Sequence, residues 1–115
     1  MSRDISANEY QQRALRTARP EQGPKKLLVN GVMGLAGEAG ECVDVVKKHL
    51  FQGHDLDKAR LAKELGDVAW YLAVTAHAIG YELGEIFCMN DDKLRARYPD
   101  GFSEEKSLHR AEGDV

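Results

Sequence analysis

Leu61, Leu65, Val68, Leu72 and Ile79 recur at intervals of four, three, four and seven residues. That is the period of one helix face. Leu28, Val32, Leu35, Val43, Val46 and Leu50 supply the apolar positions of an earlier segment, and no alternating, strand-like stretch exceeds four residues. The pattern predicts an all-α, four-helix bundle-like domain over residues 1–102. Its helices are delimited by local signals. Ser6-Ala7-Asn8-Glu9 reads as a capping box opening a first helix that runs to about Ala18, before Arg19-Pro20. A second spans Lys25 to Phe51 and ends at Gln52-Gly53. A third starts behind Asp57 and runs to Ala78 or Ile79, before Gly80. A fourth runs from Leu83 to Arg97 and stops before Pro99. Beyond Phe102 the sequence turns polar, and residues 103–115 are expected to form a mobile tail.

A chain of 115 residues, 43% hydrophobic and 30% charged, can bury a core and has the size of one domain. Its net charge of -3 argues against a nucleic-acid partner held by a basic surface. The apolar runs are too short to span a membrane. Met1-Ser2-Arg3-Asp4 leads into polar sequence rather than a signal-peptide core, so a cytoplasmic location is expected. Cys42 and Cys88 have neither metal-finger nor disulfide-framework spacing. His49, His54, His77 and His109 are not spaced as ligands of one site.

The chemistry is concentrated in two helices. Glu38 and Glu41 lie three residues apart in the second, and Glu64 and Asp67 three apart in the third. Each pair shares a helix face, where like charges repel. Facing each other across an antiparallel hairpin, four carboxylates would form a hard-oxygen cage for one or two Mg²⁺ ions. Taken singly, each pair also fits an ordinary solvated face. Gly31, Gly34, Gly37 and Gly40 recur every third residue beside the first pair. Interior glycine costs a helix about 1 kcal/mol against alanine, so a close backbone or ligand approach is expected there. Tyr71, four residues beyond Asp67, shares its face and suits either base stacking or the core.

Three blocks carry a resemblance: Gly34-Leu35-Ala36-Gly37-Glu38-Ala39-Gly40-Glu41; Glu64-Leu65-Gly66-Asp67-Val68-Ala69-Trp70-Tyr71-Leu72; and Asn90-Asp91-Asp92-Lys93-Leu94-Arg95-Ala96-Arg97-Tyr98-Pro99-Asp100-Gly101-Phe102. In this order they resemble the MazG-like nucleoside triphosphate pyrophosphohydrolases of the all-α NTP pyrophosphatase superfamily. The family pattern is Glu-Glu-x-x-Glu followed by Glu-x-x-Asp. Here Gly37 stands where the first glutamate would be, leaving four acids. The resemblance implies hydrolysis of a nucleoside triphosphate between its α and β phosphates. It implies Mg²⁺, or Mn²⁺ in its place, held by Glu38, Glu41, Glu64 and Asp67, with Glu41 positioning the attacking water. Asn90, Lys93 and Arg97 would surround the phosphates, Arg97 equally suiting a basic last turn that offsets the helix dipole. Lys48 would be a further phosphate or base contact. Base recognition would fall to Tyr10, Gln11, Arg13 and Arg16 of the first helix, or to these together with a partner subunit. Trp70 is read as core or interface. The family also implies a homodimer or tetramer, which suits a short chain with apolar surface to cover. Two other readings share these features: a hydrolase of another phosphoanhydride such as dUTP or an alarmone, and a non-catalytic helical dimerisation module.

Overall fold

The computed structural model describes residues 3–115. They form α1 (Ala7–Leu15), a 3₁₀ turn (Pro20–Gln22), α2 (Pro24–Phe51), α3 (Lys58–Ala78), α4 (Leu83–Arg97) and α5 (Glu104–Leu108). No strand forms among the described residues. The fold is all-α, as the periodicity requires.

The helix ends follow from side-chain and backbone chemistry. The Ser6 hydroxyl accepts from the Glu9 N–H at 3.1 Å. The Glu9 carboxylate turns to Arg13 at 2.6 Å, so the capping box is realised through its serine arm. α1 stops at Leu15, short of Ala18, because its last turn tightens. The Arg16 and Thr17 N–H groups bond three residues back, and the Thr17 hydroxyl also donates to the Ala14 carbonyl at 3.1 Å. Asp57 caps α3 by accepting the Arg60 N–H at 3.0 Å. At the other end of α3, Gly80 adopts φ +84° and lets the Tyr81 N–H reach back to the Ala76 carbonyl at 2.9 Å.

The chain divides into two compact units, Met1–Leu83 and Gly84–Val115. In the first, α3 is the central element, packed against both α1 and α2. Facing residues of α2 and α3 run in opposite order, Gly31 meeting Thr75, Gly34 meeting Tyr71, and Glu41 approaching Arg60. The two helices are therefore antiparallel. Two of the four spaced glycines explain themselves here. A Cβ at Gly31 would collide with Thr75, and one at Gly34 with the Tyr71 ring, whereas Gly37 and Gly40 face open space. Ala14, Ala73 and Leu83 form a buried cluster, flanked by Ala7, Tyr10, Trp70 and Leu72.

Gln11 ties this unit together from the inside. It is 2% exposed. Its amide donates to the carbonyls of Ala73 and Tyr81, each at 3.1 Å, and its side-chain oxygen accepts the Leu83 N–H at 3.0 Å. These bonds join α1, α3 and the start of α4. They also correct the expectation that Gln11 reads a base, because its amide is spent inside the protein.

In the second unit, the segment expected as a tail contains α5, capped by the Ser103 hydroxyl accepting the Lys106 N–H at 3.4 Å. Further on, Asp114 forms an ion pair with Arg97 at 2.7 Å.

Candidate functional site

The antiparallel pairing of α2 and α3 brings Glu38 beside Glu64 and Asp67. One carboxylate oxygen from each lies within 4.8 Å of the others. Glu38 and Glu64 are partly buried and Asp67 is exposed. The crowding is electrostatically costly, and Glu38 registers it. Its carboxyl is held above its ordinary pKa, chiefly by a hydrogen bond with Glu64. Partial loss of hydration and the negative charges of Asp67, Glu64 and Glu41 add to this. The same crowding that disfavours ionisation of Glu38 would be relieved by a cation placed among the three carboxylates. Three convergent carboxylates offer hard oxygen donors, the kind that Mg²⁺ and similar divalent ions take.

Beside the acids is a depression of about 290 Å³ lined by Glu38, Asp67, Trp70 and Tyr71. The two rings meet edge to face, with centroids 4.9 Å apart and planes at 87°. Trp70 is fixed from behind, donating its indole N–H to the Thr17 hydroxyl at 3.0 Å. Tyr71 lies over Gly34, whose missing side chain makes room for the ring. Tyr10 of α1 borders the same group. Its phenol is held above its ordinary pKa by burial first and by the charge of Asp67 second.

Glu41 stands outside the convergent trio. It is exposed and 3.9 Å from the Arg60 guanidinium, which also approaches Glu64 at 4.0 Å. Arg60 therefore sits between an acid of α2 and an acid of α3, a role the sequence reading overlooked. The available signal was its position four residues before Glu64. Lys48 pairs with Asp44 at 3.0 Å. Asn90, Lys93 and Arg97 belong to the second unit, where Asn90 and Lys93 are exposed and Arg97 is held by Asp114.

The pattern of the MazG nucleotide pyrophosphohydrolase domain matches residues 30–102, a span that includes Glu38, Glu41, Glu64 and Asp67. The chain belongs to the MazG family. The Gene 37 protein of Mycobacterium phage L5 is 39% identical over 69 residues, covering 56% of this chain and 60% of that protein. The chain thus spans less than two thirds of this relative's length. No solved structure matches. The matched MazG region contains the whole acidic trio and both rings of the adjoining depression.

Proposed function

We propose that the protein is a Mg²⁺-dependent nucleoside triphosphate pyrophosphohydrolase. It would convert an NTP or dNTP and water into the monophosphate and pyrophosphate, clearing surplus or non-standard nucleotides from the cytoplasmic pool. The observation that carries this reading is the convergence of Glu38, Glu64 and Asp67, within the region matching the MazG domain.

Glu38, Glu64 and Asp67 would hold the cation, each as the ionised carboxylate. A divalent ion there would neutralise phosphate charge and make water a better nucleophile. Glu41, freed from Arg60, would orient the attacking water toward the α phosphorus. Trp70 and Tyr71 present ring surface beside the acids and suit a nucleobase. Lys48, Asn90, Lys93 and Arg97 would meet the polyphosphate, with Arg97 offering a bidentate fork and the lysines point charges.

A second copy of the chain is part of this reading. Val29, Met33, Ala36, Gly40, Val43, Lys47 and Leu50 alternate at four- and three-residue spacing along α2, and all are exposed. That spacing is the seam of a helix pair, and the bare Gly40 permits close approach. Cys42, Val43, Val46, Leu50, Phe51 and Leu61 continue the apolar surface as a groove of about 600 Å³. A homodimer, or a tetramer built from it, would cover this face.

The test is a panel of common and damaged NTPs and dNTPs, with dUTP and an alarmone included, incubated with Mg²⁺. Equal amounts of monophosphate and pyrophosphate are expected from at least one nucleotide. Orthophosphate with a diphosphate as primary products, in the absence of a contaminating pyrophosphatase, would contradict the reading. A helical module without a site would turn over nothing and show no thermal shift with Mg²⁺ and a non-hydrolysable nucleotide.

A further inference from the structure

Arg97 closes α4, and both of its engaged nitrogens point at one carboxylate. Nε reaches one Asp114 oxygen at 2.8 Å and Nη2 the other at 2.7 Å. This two-pronged geometry is the one a guanidinium offers to a phosphate. The pair is well covered, with side chains only 9% and 16% exposed. The chain is bent to deliver it. Gly113 adopts φ +84°, open to glycine but strained for other residues, and the Asp114 N–H bonds the Ala111 carbonyl at 3.1 Å. Around the pair is a cavity of about 610 Å³, lined also by Lys93, Lys106, His109 and Arg110, with Glu112 as its other acid. Among the described residues, no ion pair engages Lys93, Lys106 or Arg110. Without Asp114, four Lys and Arg side chains would surround that cavity against one acidic side chain, Glu112.

We propose that residues 111–115 are an internal competitor for this anion pocket, Asp114 holding on Arg97 the position that a phosphate group takes when a polyphosphate binds. This rests on the reading of Arg97 as a phosphate contact and adds a control to it: the ligand must displace the chain's own carboxylate. The apparent affinity for phosphate-class anions is therefore reduced by the fraction of molecules in which Asp114 is seated. The depressed pKa of Asp114, caused first by its hydrogen bonds to Arg97 and then by the charges of Arg97, Arg110 and Lys93, is consistent with its seat in a cationic pocket.

The full-length Asp114→Asn protein tests this with inorganic pyrophosphate as the probe, titrated calorimetrically without Mg²⁺. Binding is expected to tighten by about fivefold or more, because the competing charge is gone. Glu112→Gln should change it by less than about twofold. Gly113→Ala retains every charge but strains the turn, and should tighten binding in the same direction. Unchanged or weaker pyrophosphate binding in folded Asp114→Asn and Gly113→Ala proteins would overturn the proposal. A steady-state assay separates the two possible sources of the anion. A lower KM for the nucleotide identifies the substrate's own phosphates, whereas tighter pyrophosphate inhibition at unchanged KM identifies free pyrophosphate. The two readings fail differently. If no nucleotide is hydrolysed while Asp114→Asn tightens pyrophosphate binding, the enzymatic reading falls and the competitor stands. If hydrolysis is present but Asp114→Asn alters neither KM nor pyrophosphate affinity, the competitor falls alone.

Discussion

Glu38 is where the charge conflict is stored. Its raised pKa means that the folded, metal-free protein keeps this proton at pH values where the unfolded chain has lost it. The associated stabilisation is fully present below the ordinary pKa of 4.5 and is lost as pH rises through the raised value. Metal-free melting temperature should therefore carry a component that declines with pH above that point. The rise in melting temperature on adding Mg²⁺ should grow with pH over the same window, because the cation needs the ionised carboxylate. A Mg²⁺ effect independent of pH there would contradict this account. Glu64→Gln should leave the metal-free fold as stable or slightly more stable, and should shrink the Mg²⁺ shift. That Glu38 and Glu41, and Glu64 and Asp67, share a helix face was legible from their three-residue spacing. That Glu38 meets Glu64 and Asp67 while Glu41 turns to Arg60 was not. Arg60 between Glu41 and Glu64, and Gln11 inside the unit, were not legible either. Their partners are set by packing between helices, which leaves no periodic trace.

At the scale of elements, α2 carries four glycines with two different meanings. Gly31 and Gly34 give Thr75 and Tyr71 room to approach, while Gly37 and Gly40 touch nothing comparable. Gly34→Ala should destabilise by about 1–3 kcal/mol through overpacking against the Tyr71 ring. Gly37→Ala should stabilise by about 0.5–1 kcal/mol, because helix propensity improves in open space. Denaturant melts of the two variants give opposite signs on this account, and equal signs would refute it. Helix limits were read from the sequence to within a few residues because caps and prolines act locally. α1 ends early because two i to i+3 hydrogen bonds and the Thr17 hydroxyl tighten its last turn. The short α5 was read as tail because its composition is polar and it offers no apolar period.

The whole molecule combines a small buried core with a long apolar stripe on α2. Val43 and Leu50, 65% and 63% exposed, line the groove that a second copy would fill. Sedimentation should give a dimer or tetramer at micromolar concentration, and a Val43→Lys, Leu50→Lys double variant should shift it toward the 12.8 kDa chain. A wild-type monomer would defeat the interface. Glu38, Glu64 and Asp67 are proposed to hold the metal, and turnover of Asp67→Asn at saturating Mg²⁺ tests this most directly. Loss of one ligand should lower kcat by about 100-fold or more against wild type, several kcal/mol of transition-state stabilisation. An Asp67→Asn protein that hydrolyses its nucleotide at the wild-type rate would show that these carboxylates do not hold the catalytic metal.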